Sequence, residues 1–465
     1  MSLCTRGRRR LALLVASAAL TAACAGPTVD PPGSAPVAAA APADGLAATA
    51  VVVPPAMAAA PFDHPRTALV PAGWTIAVWA RVPKARLAAW APDGALLVSL
   101  PAAGTVLRLT PQPGGGARST ALLNGLEQPH GLAFAGTPNS AGTPNSAGTL
   151  YVAESDQVVA YDYTAGAATA PRVVAPGLPD AKSPELQGAY AHALKSVAVG
   201  PDGAVYFSIG STGNISAEDR SANPPRAAIL RVPAGGGPAQ PFAVGVRNGT
   251  GLAVAPDGSV WTAVNNRDNI GYPFDRPYAG DSGSSYGKVI PDYVDDHPAE
   301  AVARLTAGRD LGWPYCEPDP DVEPGLAGTA FAPAAPPFVR DVQTNPDGTR
   351  LNCGALPPVE QSLGAHSAPL GLSFVDGGLP EPYAHGALIG VHGSWNRNPP
   401  RAPEVSFMPW RDGTLGAQQT LVGGFQAPDG SRWGRPVAAV LGPDGAVYIT
   451  DDSAGAVYRL APPGR

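Results

Sequence analysis

The stretch Val197-Ala198-Val199-Gly200-Pro201-Asp202-Gly203-Ala204-Val205-Tyr206 reads as two short apolar runs joined by a tight turn. Proline presets φ and glycine accepts φ > 0, so Pro-Asp-Gly between such runs predicts a β-hairpin. The same unit recurs as Gly251-Leu252-Ala253-Val254-Ala255-Pro256-Asp257-Gly258-Ser259-Val260-Trp261. The turn glycines Gly94, Gly148, Gly203 and Gly258 follow one another at about 55 residues, and two further hairpins centre on Gly386 and Gly445 at a similar step. Between Gly258 and Gly386 the period leaves about 70 surplus residues. They cover roughly 265–360 and are rich in Pro and Gly. The reading is an all-β, six-bladed β-propeller with a long loop insertion between the fourth and fifth repeats. A seventh blade within that surplus is the alternative.

Composition agrees. The 465 residues are 45% hydrophobic and 15% charged, with 56 Gly and 55 Pro, and long helical patterns are absent. A chain of this length buries a large core without staples. The net charge of −6 argues against a nucleic-acid partner. Residues 1–24 read as a signal segment: Arg6, Arg8, Arg9 and Arg10 precede the apolar Leu11–Leu20, which ends in Thr21-Ala22-Ala23-Cys24. That ending is similar to a lipobox, with Cys24 as the acylated residue; an ordinary cleavage near Ala25 is the alternative. The expectation is an exported cell-envelope lipoprotein, periplasmic or on the outer face of the membrane, touching the bilayer by its lipid anchor only. Residues 25–60 are Ala- and Pro-rich with almost no charge, and are read as a flexible tether to a propeller over 61–465. Cys316 and Cys353 lie in one loop-rich region of a chain bound for an oxidising compartment, which most simply makes a disulfide.

The polar residues fall in register. Four positions before the first apolar residue of the repeats stand Glu127, His192, Arg247, Ser367 and Gly434; immediately after them come Gln128, Ala193, Asn248, Ala368 and Arg435. Equivalent positions in a propeller share one ring, so Gln128, His192, Arg247, Asn248 and Arg435 should face a common cavity. An imidazole suits proton abstraction, and guanidiniums suit a ligand with several carboxylates.

With these residues the chain resembles the soluble PQQ-dependent sugar dehydrogenases of the glucose/sorbosone dehydrogenase family, over roughly 65–462. The resemblance is carried by Leu126-Glu127-Gln128-Pro129-His130-Gly131-Leu132, by His192, by Gly245-Val246-Arg247-Asn248-Gly249-Thr250-Gly251-Leu252 and by Asp310-Leu311-Gly312-Trp313-Pro314-Tyr315. His392-Gly393-Ser394-Trp395-Asn396-Arg397 and Arg435-Pro436 complete it. It implies oxidation of a sugar or related alcohol by hydride transfer to PQQ, with His192 as base and Arg247 and Asn248 beside the quinone carbonyls. It implies a Ca2+ ion in the loop containing Asn266, Arg267 and Asp268, largely on main-chain carbonyls. Arg397 and Arg435 would meet the cofactor carboxylates, and a quinone or cytochrome would accept the electrons.

One departure stands out. After Ile209-Gly210 the sugar-oxidising members carry an Asp-Gln-Gly-Arg-Asn type run, where this chain has Ser211-Thr212-Gly213-Asn214. His192 therefore needs another orienting partner, from Glu127, Asp219 or a loop. Two further function classes are a non-catalytic ligand-binding propeller and a Ca-dependent lactonase, the latter requiring inward acids on the axis.

Overall fold

A computed structural model describes residues 45–135 and 147–465. Six sheets, each with a core of four strands, surround one axis. Their innermost strands are Ala88–Trp90, Gly131–Ala135, Val197–Val199, Gly251–Val254, Pro369–Asp376 and Pro436–Leu441, and each packs on the next around the ring. Small residues permit that approach: a Cβ on Gly131 would lie 2.6 Å from the Val197 nitrogen, and one on Gly371 would lie 2.7 Å from the Ala438 Cβ. What remains on the axis is a narrow cavity of about 50 Å³, lined by residues such as Leu132, Ser196, Thr250 and Ala439.

The sixth blade closes the ring. Its three inner strands, Pro436–Leu441, Val447–Asp451 and Ala456–Ala461, come from the end of the chain, and its outer strand is Thr75–Arg81 from the beginning. Thr75 pairs with Ala461 and Ile76 with Leu460, antiparallel. Blades meet through aromatic edges. Tyr448 lies edge-on to Trp90 of the next blade at 4.8 Å, backed by Trp79 of its own blade, and Trp261 lies edge-on to Trp410 at 5.7 Å. Such pairs add about 0.5–1.5 kcal/mol each beyond the area they bury.

The Pro-Asp-Gly turns do more than reverse the chain. Gly94, Gly203, Gly258 and Gly445 all sit at positive φ between the first and second strands of their blades. The preceding aspartate accepts the N–H two residues on, as Asp202 does from Ala204 at 3.0 Å. Its other oxygen reaches an arginine on the third strand: Asp93 with Arg108 at 2.7 Å, Asp202 with Arg231 at 3.0 Å, and Asp444 with Arg459 at 2.8 Å.

Two turn assignments from the period are corrected. Gly148 lies inside the strand Ala147–Ala153, opposite Tyr163; the turn before it and the duplicated Thr-Pro-Asn-Ser-Ala-Gly run fall largely outside the described residues. Gly386 lies inside His385–Val391, where a Cβ would meet the Phe407 ring at 2.2 Å; the blade turns instead at Gly377 and Gly378. A glycine needed for space and one needed for φ look alike in sequence.

The surplus residues sit within the fourth blade rather than between two repeats. Glu300–Leu305 is its third strand and Gln361–Leu363 its fourth. One insert therefore runs from 264 to 299 and carries the helix Pro291–Asp296. The other runs from 306 to 360, pairs Cys316–Pro318 with Phe338–Arg340, and holds the Cys316–Cys353 disulfide, Cα–Cα 5.6 Å. The expected tether is also shorter. Leu46–Ala50 pairs with Thr67–Pro71, Val51 is buried with Phe62, and Arg81 donates to the carbonyls of Ala59 at 2.8 Å and Ala60 at 2.9 Å. The apolar alanines and valines of 46–53 find a surface to cover, which their composition alone does not reveal. Residues 1–44, including Cys24, lie outside the described residues.

Candidate functional site

In each blade the segment leading into the innermost strand and the loop leaving the second strand lie at the same end of the ring, because the two strands are antiparallel. His192, Arg247 and Arg435 belong to the first kind of segment; Ser211, Asn214, 264–269, His392 and Asp452 belong to the second. One mouth therefore collects both sets.

At two blades a carboxylate at the end of the second strand clamps the leading segment. Glu154 accepts the Glu127 N–H at 2.6 Å, and Asp451 accepts the Arg435 N–H at 2.8 Å. The third blade has Gly210 there, and a Cβ on it would lie 2.6 Å from the His192 Cβ. The glycine lets the imidazole lie over the strand end. His192 Nδ1 then meets the Ser211 carbonyl at 3.0 Å and the Ser211 hydroxyl at 2.9 Å. A carbonyl only accepts, and the hydroxyl gives its proton to the Gly213 carbonyl at 2.7 Å. Nδ1 must therefore carry the hydrogen, which leaves a lone pair on Nε2. Nε2 makes no hydrogen bond among the described residues. Burial, then the Arg247 charge, pull the imidazole down to about 4. The partner missing from the sequence reading is thus Ser211 itself. Asp219, a suggested substitute, instead holds the Thr212 N–H at 2.8 Å, and Glu127 pairs with Lys182.

Arg247 is 4% exposed and fully engaged. Nη1 donates to the carbonyls of Asn265 at 3.1 Å and Asn266 at 2.7 Å; Nη2 donates to Asn214 Oδ1 at 3.0 Å and stands 3.7 Å from Asp268. Asn214 also binds the Asp268 main chain on both sides, accepting from its N–H at 2.9 Å and donating to its carbonyl at 2.9 Å. The Asp268 carboxylate takes Asn396 at 2.9 Å and faces His366 Nδ1 at 3.4 Å. Burial pushes its pKa up, but His366 and Arg247 prevail and hold it below the usual carboxylate range. Asn248 is 8% exposed, and its amide makes no hydrogen bond among the described residues; its Oδ1 lies 3.3 Å from where a Gly210 Cβ would stand. His192, Arg247 and Asn248 are therefore assembled together.

A second wall belongs to blades five, six and one. Arg435 donates to the His392 carbonyl at 2.9 Å, and Arg432 to the Ser394 carbonyl at 2.7 Å. Asp452 joins His392 Nε2 and Arg86, each at 2.8 Å. Burial first, then the charges of Arg432 and Arg86, lower Arg435, so three guanidiniums crowd one wall. Half-buried cations in excess are suited to a polyanionic ligand. Gln128, in the left-handed region at φ 47, is half-buried. Arg397 departs from expectation: it is held by the helix end, donating to the Asp295 carbonyl at 2.7 Å and pairing with Asp296 at 2.7 Å. An acidic helix end in the insert claims it, and nothing in its own motif announces that.

The cation loop also differs in detail. The Asn266 side chain is committed to the Ala299 carbonyl at 2.7 Å, and the Arg267 guanidinium is buried against Asp341 and Gln343. The Arg267 guanidinium, a cation with no acceptor atom, is no metal ligand, while the Asn266 amide keeps its oxygen. The loop still offers oxygens: the main-chain carbonyls of Asn265 and Asn266 keep a second lone pair, and the Arg267 carbonyl accepts no hydrogen bond among the described residues. With Asp268, this is an oxygen set that a hard cation accepts. Beneath the loop, Glu300 takes the Asn266 N–H at 2.5 Å, and both Glu317 oxygens are buried without a hydrogen bond; burial pushes each carboxyl up to about 7. The sequence reading passed over both, since neither belongs to a recognisable motif. The axis is lined by apolar and small residues with no carboxylate among them, which counts against the lactonase reading.

The fold and this mouth define a six-bladed propeller whose one end gathers His192, with its free Nε2, and several guanidiniums. The chain matches the TrAA12-like family over residues 68–462 and belongs to it, in accord with the resemblance in its motifs. Among solved structures it is similar to the holo pyranose dehydrogenase PQQ domain of Coprinopsis cinerea, at 21% identity and TM-score 0.65, covering 84% of this chain and 96% of that one. It is similar to the calcium structure of a Trichoderma reesei carbohydrate-active family AA12 protein, at 19% and 0.65, covering 85% and 96%. The soluble aldose sugar dehydrogenase of Escherichia coli follows at 14% and 0.52, covering 84% and 99%. At these identities the likeness establishes the fold. Among curated proteins, an uncharacterised protein of Borreliella burgdorferi is 36% identical over 106 residues, 22% of this chain; the chain spans 28% of that protein's length.

Proposed function

We propose that this chain is a PQQ- and Ca2+-dependent dehydrogenase that oxidises an aldose, sorbosone-like sugar or related alcohol. The observation that carries this reading is the fixed tautomer of His192, whose Nδ1 is held by Ser211 and whose Nε2 is free. When bound, PQQ supplies a two-electron hydride acceptor and Ca2+ supplies Lewis acidity toward its carbonyl. Membership of the TrAA12-like family and the PQQ- and calcium-containing neighbours support both groups.

The chain's own residues do the rest. His192 Nε2 takes the proton of the substrate hydroxyl as the carbon-bound hydrogen leaves with its electron pair. Asn248 would turn its unengaged amide toward developing negative charge, and Arg247, whose own donors are taken, would add a positive charge already fixed in place, which lowers the barrier without reorganisation. Arg435, flanked by Arg86 and Arg432, would hold the cofactor carboxylates, with Gln128 at the entry of blade two. The carbonyls of 265–267 and the Asp268 carboxylate would hold the cation. An external quinone or cytochrome would then take the electrons. The arginine-rich leader and Cys24 support export and lipid anchoring in the cell envelope.

The test is reconstitution of the full chain with PQQ and Ca2+, followed by dye reduction across an aldose and alcohol panel. Turnover that disappears in His192→Ala, with quinone retained, is the expected result. Failure to bind PQQ at micromolar cofactor overturns the proposal and leaves a non-catalytic propeller.

A further inference from the structure

Away from the mouth residues, the two inserts of blade four meet around His297. Its ring is 4% exposed and stacks on Tyr293 at 3.9 Å, nearly parallel. Nδ1 lies 2.8 Å from the Tyr293 carbonyl. A carbonyl only accepts, so Nδ1 carries the hydrogen and Nε2 is turned the other way. There it meets two carboxylates from the second insert, Asp321 Oδ2 at 3.1 Å and Asp319 Oδ1 at 3.5 Å. Nε2 stands at ion-pair distance from both yet makes no well-aligned hydrogen bond to either, and Asp319, fully buried, has its Oδ2 without a hydrogen-bond partner among the described residues.

The two aspartates stand in Cys316-Glu317-Pro318-Asp319-Pro320-Asp321. Alternate residues of an extended chain share a face, and the intervening prolines stiffen it. Asp321 donates its N–H to Asp319 Oδ1 at 3.0 Å, and Asp319 donates its own to the Pro337 carbonyl at 2.9 Å, so both side chains are pre-set. One ligand atom from each of the three residues lies within 4.8 Å of the others. Four ligands at Zn–N and Zn–O lengths of about 2.0–2.1 Å stand about 3.3 Å apart at the edges of a tetrahedron. The observed 3.1 and 3.5 Å bracket that edge.

We propose that His297 Nε2, Asp319 and Asp321 form a binding site for a divalent transition cation of the Zn2+ class, separate from the cofactor cation. An imidazole nitrogen with two carboxylates is a borderline ligand set, which a purely oxygen-seeking cation does not select. A +2 ion neutralises both aspartates and gives the unpartnered atoms their ligand; a proton on Nε2 leaves the buried cluster with a net negative charge. The site clamps the end of the first insert to the second. Ala299, two residues from His297, donates its N–H to the Pro318 carbonyl at 3.2 Å and accepts Asn266 Nδ2 at 2.7 Å. The helix before His297 accepts His366 Nε2 at its Val294 carbonyl, at 2.6 Å. The clamp thus braces the floor on which the 264–269 loop rests.

The experiment needs no quinone, so its outcome is independent of the dehydrogenase reading. The chelator-treated full chain is dialysed against Zn2+, or against Co2+ as a spectroscopic substitute, and metal content, visible absorption and thermal melting are recorded. About one Zn2+ per chain is expected, with the d–d bands of four-coordinate Co2+ and a raised melting temperature. The His297→Gln and Asp319→Asn variants, checked by circular dichroism for folding, lose the bands and the Zn2+-dependent rise. Should a variant fail to fold, Asp321→Asn, at the least buried ligand, carries the same readout. Folded wild-type chain that takes up no Zn2+, retains only Ca2+, or binds Zn2+ equally after these substitutions overturns the proposal.

Discussion

Ser211 holds one edge of His192 with two atoms, its carbonyl at 3.0 Å and its hydroxyl at 2.9 Å from Nδ1. Where relatives are expected to place a carboxylate, this chain places a dipole. A dipole fixes the tautomer and favours the imidazolium less than a carboxylate would, so burial and then Arg247 prevail and depress the group to about 4. The neutral imidazole is the competent base, so kcat/KM is expected to fall only as pH drops through about 4. Ser211→Asp adds a charge that favours the protonated ring, and the acid limb should move upward by a unit or more. A pH–rate profile of the two proteins checks this; coincident limbs refute it. His192→Ala should cost about 10²–10⁴ in rate.

Arg247→Lys tests the fork. A lysine cannot serve the carbonyls of Asn265 and Asn266 and the Asn214 amide together. The expected result is a loss of about 10² in kcat, the scale for misplacing catalytic groups by about 1 Å when the loop that holds them shifts. Steady-state kinetics at saturating cofactor separates this from simple loss of quinone binding.

The Cys316–Cys353 bond closes a separation of 37 residues around the second insert. Chain-entropy arguments place its contribution at about 3–4 kcal/mol. Reduction, or the Cys316→Ala/Cys353→Ala pair, should lower the melting temperature and increase proteolysis within 306–360. An unchanged melt under reductant would show that the insert is held by its packing alone.

Deleting residues 45–60 should destabilise the ring although no blade strand is lost. The deletion strips Val51 from the Phe62 cluster and removes the carbonyls of Met57, Ala59 and Ala60 that Arg81 binds. A cost of about 1–3 kcal/mol follows from the buried apolar area and the lost hydrogen bonds. Differential scanning calorimetry of the shortened and full chains measures it.

The architecture was legible in the sequence wherever one residue type has one physical job. Pro-Asp-Gly marks a turn because φ > 0 is needed, and four of the six hairpins were placed correctly by it. The two turns placed on Gly148 and Gly386, which lack that motif, fall inside strands; at Gly386 the glycine makes room for Phe407. The offset of His192 and Arg247 located one half of the mouth, because a repeat carries equivalent residues to equivalent places. The contacts that complete the mouth were not legible. Asn214, Asp268 and His366 come from three segments joined only by the fold, and Arg397 is claimed by the Asp295–Asp296 helix end. Ser211 read as a loss because the motif was scanned for an acid, while its main-chain carbonyl has no letter in a sequence.

The pairing of Thr75–Arg81 with Ala456–Ala461 sets an order of events during synthesis. The first blade-forming strand to be made waits for one of the last, so no shorter nascent chain has a closed circle to fold into. Until then two sheet edges stand open to any other strand. A chain that reaches Ala461 is therefore the first form in which those two edges can cover one another.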